Sequence, residues 1–446
     1  MTAPAYHNVR AVVVGLGKTG LSLVRYLHAA GARVSVTDTR AEPPALADLR
    51  QLDAAIPVRA GALDAALLEG ATLLAVSPGV PLDDPFFAVA AARGLTPVGD
   101  IELFARAARA PVVGITGTNG KSTVTTLVAA MIARAGHRVR AGGNLGEPAL
   151  GLLDPAAQFY VLELSSFQLD LVRHLQLAVA TVLNVTADHM DRYPGVAAYA
   201  ASKNRIFEHC DVAVLNVDDP WVAGMGRSAA RRVGFSLQEH TAADYHLMQR
   251  AGARWLARRG EPLLALTELK LSGLHNAANA LAALAMGEAL GLPQAAMLGE
   301  LREFAGLPHR TQWVADRAGV RYINDSKGTN VGATLAAVAG LDGPLLVIAG
   351  GDGKGQDFSP LAAAFTGKVR ETLLIGRDAP ALEQALAGCC ELHRCGSLEE
   401  AVQLAAAHAR AGDTVLLSPA CASLDMFRDY THRGRSFVAA VERLAA

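Results

Sequence analysis

The run Gly117-Thr118-Asn119-Gly120-Lys121-Ser122-Thr123 sets a lysine and two hydroxyls directly behind a glycine-rich turn. At the start of a helix, the N–H groups of such a turn cradle phosphates. The lysine meets the phosphate charge and a hydroxyl can reach magnesium. The spacing departs from the usual phosphate loop, because Ile115 stands where its first glycine would be. The pattern still points to ATP or GTP. Glu163, just ahead of Ser165-Ser166-Phe167-Gln168, and Asp188-His189, just ahead of Met190-Asp191-Arg192-Tyr193, follow in the same segment. An acid and a histidine at the carboxyl ends of parallel strands lie where open sheets bind ligands. Both suit a hard divalent ion beside the Ser122 hydroxyl. His189 alone reads as a hydrogen-bonded surface histidine; the company of Lys121 and Glu163 makes it a functional candidate.

Lysine usage sharpens the choice. Only seven of the 41 basic residues are lysine, at positions 18, 121, 203, 270, 327, 354 and 368. Where charge alone is wanted this chain uses arginine. A lysine therefore marks a place that needs a compact ammonium, or an amine able to lose its proton. Lys203, on a helical stretch over 197–207, reads in isolation as a solvated helix lysine. Farther along, His275, Asn276 and Asn279 share one face near the start of an alanine-rich helix, in the run Leu271-Ser272-Gly273-Leu274-His275-Asn276-Ala277-Ala278-Asn279. Capping explains one of the three, but hardly all.

These groups need strands that end in turns, and the chain supplies three such units in series. In the first, Gly15-Leu16-Gly17-Lys18-Thr19-Gly20 follows an apolar strand over 9–14, and a second strand over 33–37 runs into Asp38. That is the dinucleotide-fold fingerprint, weak by itself, and it fits any nucleotide diphosphate lying on a helix N-terminus. The second unit starts near Gly99, with strands at 111–116, 160–164 and 181–185 and a helix over 124–134. After Gly306 the pattern restarts. Leu307-Pro308-His309-Arg310 reads as a linker. Strands at 320–323, 345–349 and 415–418 then run into polar turns bearing Asp325 to Asn330, Gly350 to Lys354 and Pro419 to Asp425. The expected fold class is α/β, as three consecutive open-sheet domains. They are a Rossmann-like N-terminal domain over 1–99, a P-loop ATPase-like central domain over 100–306 and a Rossmann-like C-terminal domain over 307–446.

The bulk numbers exclude several classes. A chain of 446 residues is too long for one compact core. A net charge of -1 gives no basic footprint for nucleic acid. No apolar run reaches the roughly 18 residues that would span a membrane. The opening Met1-Thr2-Ala3-Pro4-Ala5-Tyr6-His7 has no signal-peptide anatomy, so a soluble cytoplasmic protein is expected. Five cysteines, at 210, 389, 390, 395 and 421, form no even framework. Cys389, Cys390, His393 and Cys395 cluster in sequence but lack paired Cys-x-x-Cys knuckles. They read as reduced thiols near a helix–strand junction rather than as a metal site.

The motifs occur together in a particular order. They are the phosphate turn, Glu163-Leu164-Ser165-Ser166-Phe167-Gln168-Leu169, Leu183-Asn184-Val185-Thr186 ahead of Asp188-His189, Gly273 with His275-Asn276 and Asn279, and Asn324-Asp325-Ser326-Lys327 with Thr329-Asn330. In that set and order the chain resembles the Mur ligase family over nearly its whole length. Asp38-Thr39-Arg40, Gly142-Gly143-Asn144 and Ser418 to Asp425 resemble the branch that adds D-glutamate to UDP-N-acetylmuramoyl-L-alanine. The Asp-Asn-Pro-Arg motif of the diaminopimelate- or lysine-adding branch is absent.

The resemblance implies a chemistry in which ATP phosphorylates a carboxylate and the amine of D-glutamate attacks the acyl phosphate. It implies that Gly117, Thr118, Asn119, Gly120, Lys121, Ser122 and Thr123, with Asn276, Asn279, Arg310 and Asp325, bind ATP. Ser122, Glu163, His189 and a carbamoylated Lys203 would serve Mg2+. Lys18, Thr19, Asp38, Thr39, Arg40, Gly79 and Asn144 would hold the UDP-sugar, and Lys327, Thr329, Lys354 and Ser423 would address D-glutamate. Catalysis would fall to Lys121, His189, Lys203 and Lys327, in a monomer. Two positions depart from the family pattern: Tyr430, where relatives often carry phenylalanine, and Thr311-Gln312 after Arg310. Three rival readings explain less. A nicotinamide-dependent dehydrogenase leaves the phosphate turn unused, and a P-loop switch protein leaves the third sheet unused. A folylpolyglutamate-type synthetase shares the central machinery but needs no Asp38-Thr39-Arg40.

Overall fold

A computed structural model describes residues 6–239, 242–271, 273–341 and 343–444. Residues 1–5 of the N-terminal run and Ser272 of the helix-start motif lie outside the described residues. Short apolar strands, each followed by a turn and mostly by a helix, assemble into three sheets. The first holds β1 (Arg10–Val14), β2 (Arg33–Asp38), β3 (Val58–Ala60), β4 (Leu73–Val76) and β5 (Pro97–Val98), all parallel, in the order β3-β2-β1-β4-β5. The strand order reverses beside β1, which opens a crevice at the carboxyl ends of β1 and β4.

The second sheet comprises β6 (Val112–Thr116), β7 (Val139–Gly143), β8 (Phe159–Glu163), β9 (Leu177–Val182), β10 (Cys210–Asn216), β11 (Arg231–Ser236), β12 (Tyr245–Arg250), β13 (Ala253–Arg258) and β14 (Glu261–Ala265). Its order is β14-β13-β12-β11-β10-β9-β6-β8-β7, with β12 to β14 antiparallel. The third has β15 (Gln312–Arg317), β16 (Val320–Asn324), β17 (Leu345–Gly350), β18 (Val369–Ile375), β19 (Glu391–Arg394) and β20 (Thr414–Leu417), in the order β15-β16-β20-β17-β18-β19. β16, β20 and β17 lie side by side, so the three polar turns read from the sequence share one edge.

Two local expectations change. The strand read over 181–185 stops at Val182. Beyond it Leu183 N–H bonds the Thr116 carbonyl, the Asn184 carbonyl takes the Thr118 N–H, and Val185 N–H bonds the Asp219 carboxylate. Those partners fold the chain over the phosphate turn rather than along the sheet. The helix read over 197–207 runs from Val196 to Asn204 and tightens into a 3-10 turn, Arg205–Phe207.

The cores are divided unequally. One apolar cluster runs from Leu23 and Val36 of the first unit through Phe104 to Leu162 and Phe207 of the second, so these two share buried surface. The clusters on the two faces of the third sheet draw only on residues beyond 313. The third unit meets the second through polar side chains such as Arg310 and Asn330, and through the helix Val331–Gly340, whose Gly340 lies close against Gly273 and His275 at the start of the helix Leu274–Ala289. Among the described residues, no helix is long and apolar enough to cross a membrane.

The first glycine turn is set by backbone crowding. A Cβ on Gly20 would lie 1.8 Å from the Gly15 carbonyl oxygen, an atom of the main chain that cannot swing aside. Gly20→Ala is expected to cost about 1–3 kcal/mol through overpacking. Calorimetry should record an earlier unfolding transition for the shared core of the first and second sheets, while the third sheet's own transition stays in place.

Candidate active site

The phosphate turn leaves β6 and enters the helix Lys121–Arg134 through Gly120, whose φ of 84° is open to glycine at no steric cost. A Cβ there would also meet Asn279 Oδ1 at 2.5 Å, so this glycine lets the helix-start asparagine close on the turn. No side chain caps the helix, which leaves its first N–H groups and its positive dipole end facing the cleft. Lys121 folds back over its own turn, donating to the carbonyls of Gly117 at 2.8 Å and Thr118 at 2.9 Å. Burial lowers the pKa of its ammonium. The Ser122 hydroxyl donates to Glu163 Oε2 and accepts Arg310 Nη2 at 2.6 Å, and Asn144 Nδ2 donates to Glu163 Oε1 at 2.7 Å.

Lys203 is not a solvated helix lysine. It is 1% exposed, with Nζ donating to the Gly117 carbonyl at 3.1 Å and lying 4.3 Å from the centre of the Tyr199 ring. Burial first, then the nearby Lys121 charge, hold its pKa well below the usual lysine value. Lys327 lies 4.1 Å over the Tyr430 ring and is lowered to about 8, mainly by burial and next by Arg310. His189 takes a left-handed φ of 58° and packs against Phe167, with ring centres 4.9 Å apart; burial lowers its pKa. Asp188, 8% exposed, faces Lys354 Nζ at 3.7 Å.

Three cavities meet here. One of about 290 Å³ is lined by Asn119, Gly120, Thr123, Asn276, Asn279, Arg310 and Asp325, with apolar Leu183, Phe235 and Leu271. A second, of about 470 Å³, gathers Lys18, Thr19, Gly79, Thr118, Lys121, Ser122, Asn144, Glu163, His189, Lys203, Lys327, Thr329 and Lys354. The third, of about 320 Å³, lies at the β1–β4 crevice and is lined by Gly15, Gly17, Asp38, Thr39, Arg40 and Gly79. Ser77 and Gly79 form walls of both the second and third, and Asn119, Gly120, Arg310 and Lys327 of both the first and second. Of the residues named from the sequence, the turn glycine Gly117 supplies its carbonyl to both Lys121 and Lys203 from beneath. Ser423 is not brought in. It is buried, lines none of the three, and its carbonyl takes the N–H groups of Met426 and Phe427.

Asp38 is largely consumed by its own surroundings: its carboxylate accepts Leu16 N–H at 2.6 Å and the Arg40 guanidinium at 2.6 and 2.9 Å. That leaves Arg40 and Thr39, both exposed, as the groups presented to the crevice. Asn330 was not among the named site residues, yet it lies within 3.5 Å of both Asn119 and Asp188 and ties the third unit to the second. It sits three positions after Lys327 in the same polar turn, which is the signal that could have marked it. Arg192 likewise donates to the Gly79 carbonyl at 3.1 Å while stacking on Phe167, bridging the second unit to the first.

Family models match nearly all of this framework: a Mur ligase MurD-like N-terminal domain over residues 9–99, a Mur ligase middle domain over 115–287 and a Mur ligase glutamate ligase domain over 309–421. The UDP-N-acetylmuramoylalanine--D-glutamate ligase of Pseudomonas aeruginosa is 52% identical over 438 residues, covering 97% of this chain and 98% of the relative. That of Methylococcus capsulatus is 51% identical over 436 residues, covering 98% and 95%. Among solved structures, UDP-N-acetylmuramate-alanine ligase from Thermotoga maritima aligns over 97% of this chain and 99% of its own, with a TM-score of 0.63 at 19% identity. A three-sheet α/β fold with a phosphate turn at the meeting point, matched in this way, defines an ATP-dependent ligase. The chain belongs to the Mur ligase family.

Arg310 is the cation that crosses from the linker to the phosphate turn. Arg310→Ala removes a charge-assisted hydrogen bond of about 1.5–3 kcal/mol. ATP affinity, read by calorimetric titration, is expected to fall roughly tenfold or more, and solution scattering should show a larger radius of gyration than for the parent protein.

Proposed function

We propose that this protein joins D-glutamate to UDP-N-acetylmuramoyl-L-alanine, with conversion of ATP to ADP and phosphate, as a cytoplasmic monomer in peptidoglycan precursor synthesis. The observation that carries this reading is the continuity of the three cavities: the crevice at Thr39 and Arg40 opens past Gly79 onto Lys121, Ser122 and Lys327. A long substrate with a nucleotide at one end and a carboxylate at the other spans that path. The curated relatives named above carry the same activity in their names over nearly their full length.

A carboxylate and an amine do not condense unaided in water, so the carboxylate is first phosphorylated and the resulting acyl phosphate is attacked by the amine. In this reading Asn276, Asn279 and Asp325 hold the adenosine end of ATP in the apolar cavity. The turn from Gly117 to Thr123 holds the phosphates, and Lys121 and Arg310 offset charge that grows on the transferring phosphoryl group. Lys18, Thr19 and Asn144 orient the UDP-sugar, with Thr39 and Arg40 at its nucleotide end and Asp38 fixing Arg40. Lys327, Lys354 and Thr329 face the two carboxylates of D-glutamate, which suits a lysine-lined wall. Asn330, Lys354 and Arg310, all from the third unit, keep that wall against the phosphate turn and exclude water.

The donor set beside the turn fits magnesium: the Ser122 hydroxyl, the Glu163 and Asp188 carboxylates and the His189 imidazole offer mostly hard oxygen atoms. Bound there, Mg2+ would neutralise phosphate charge during transfer. Lys203 fits conversion to a carbamate. Its buried amine is biased toward the neutral form that reacts with carbon dioxide, and the product turns a cation into an oxygen donor.

A coupled phosphate-release assay tests the whole assignment. Turnover is expected only when ATP, UDP-N-acetylmuramoyl-L-alanine and D-glutamate are all present. Equal turnover with L-glutamate, or saturable NAD binding that competes with UDP, overturns it. At Lys203 the expectation is that Lys203→Ala folds normally but loses turnover by about 10²-fold or more, as for other removed charge-stabilising groups, with partial recovery in acetate. Lys203→Arg should stay inactive, since a guanidinium cannot be carbamoylated. A fully active Lys203→Arg enzyme rules the carbamate out.

A further inference from the structure

At the far edge of the third sheet, away from the three cavities, a second set of ligating side chains converges. β18 and β19 pair with Glu371 beside Glu391 and Leu373 beside His393, so Glu371, Glu391 and His393 project from one face. The helix Leu398–His408 packs on that face, and its last residue places His408 Nδ1 2.6 Å from Glu371 Oε2. His393 Nε2 lies 3.4 Å from the same oxygen, and the ligand atoms of Glu371, His393 and His408 all fall within 4.8 Å of one another.

Three details mark this as a coordination site rather than a surface ion pair. Glu371 is 2% exposed, and Arg370 pairs with its Oε1, so the buried Oε2 is turned to the two imidazoles. His393 Nε2 is shut off from solvent and makes no hydrogen bond, although two carboxylates lie at 3.4 Å, Glu371 and Glu391. Arg370 forms an ion pair with Glu371 Oε1 at 2.8 Å and donates to the His408 carbonyl at 2.9 Å, while Asp413 neutralises it at 2.8 Å. Arg370 thus fixes two of the ligating residues and leaves Oε2 free to point at both imidazoles. With neutral imidazoles, Glu371, Glu391, Asp413 and Arg370 sum to two negative charges, matching one divalent ion.

We propose that Glu371, His393 and His408 form a binding site for a zinc-class divalent ion, which clasps the edge strand β19 to β18 and to the end of the covering helix. Two imidazoles and one carboxylate favour zinc or cobalt over magnesium. Tetrahedral bonds of about 2.0–2.1 Å put neighbouring ligand atoms about 3.3 Å apart. The His393–Glu371 separation of 3.4 Å is close to that value, the His408–Glu371 hydrogen bond must open, and the two imidazoles start within 4.8 Å of each other. The cysteines take no part. Cys390 hydrogen-bonds Thr372 on the opposite face of the sheet, and Cys395 is packed in the apolar core.

The test uses the full chain, stripped with a chelator and titrated with Co2+ and Zn2+ in excess magnesium, which competes at oxygen sites but poorly at imidazole. One equivalent should bind, with the visible absorption of four- or five-coordinate cobalt and no thiolate charge-transfer band. Partners one shell out are worth 10- to 100-fold in affinity, so His393→Gln, His408→Gln and Glu371→Gln should each weaken binding by about 100-fold or more. His189→Gln should leave it unchanged. The parent protein's unfolding temperature should rise with Zn2+, and those of the three variants should not. X-ray absorption of the zinc-loaded parent gives a readout that needs no variant, and it should show nitrogen and oxygen neighbours with imidazole scattering. Absence of stoichiometric binding, sulfur in that shell, or binding that survives in His393→Gln and His408→Gln overturns the proposal.

Discussion

Positive charge held away from water is the constraint around which this molecule is organised. Lys121, Lys203, Lys327, Lys354 and Arg310 face one enclosed space, opposed mainly by Glu163 and Asp188. An ammonium stripped of water is costly unless other dipoles replace the water. The fold supplies those dipoles from its backbone: the Gly117 carbonyl serves both Lys121 and Lys203, and the faces of Tyr199 and Tyr430 receive Lys203 and Lys327. Glycine with positive φ is needed at the turn because its carbonyls, as well as its N–H groups, have to point inward. The site holds its cations on these internal partners, which phosphate and carboxylate oxygens of an anionic ligand can replace.

The way the three units are joined follows from this. The first and second share an apolar core, a contact that is hard to break without exposing much hydrocarbon. The third brings its own core and reaches the others with Arg310, Asn330 and Lys354, side chains that can find water as readily as protein. One joint thus rests on shared apolar surface and the other on polar side chains and the close approach of small helix residues.

Much of this was legible in the chain. Strands ending in glycine-rich or polar turns announced three open sheets, and the scarcity of lysine pointed at the cleft residues before any geometry was known. What escaped had weak or non-local signals. β12 to β14 and β15 to β16 are hairpins whose two-residue turns are Ala251-Gly252, Arg259-Gly260 and Ala318-Gly319, every residue with positive φ. The turns expected for such hairpins carry asparagine or aspartate before glycine, so alanine and arginine hid them. The depth of Lys203 could not be read from its helix, which is no more apolar than many exposed ones; only the fit of that helix beneath the phosphate turn buries it. Ser423 shows how far a motif can stand from the cavities: it lines none of the three, and its carbonyl accepts the N–H groups of Met426 and Phe427. His408 and Glu371 lie 37 positions apart, and no local spacing rule joins them.

Arg310 sits between two residues, His309 at φ 65° and Thr311 at φ 44°, that both adopt the left-handed region without being glycine. Each such residue gives up about 1–2 kcal/mol against the ordinary right-handed or extended conformation. They are kept there by bonds to the third unit: Thr311 N–H to the Asp325 carboxylate, His309 N–H to the Gln312 side chain and the His309 ring to Asn324. The connector is thus preloaded like a bent spring. Losing the Asp325 bond would let the backbone relax and carry the guanidinium away from Ser122 in the same motion. A nucleotide that competes for that carboxylate would then be felt in the angle between domains, with no relay of side chains in between.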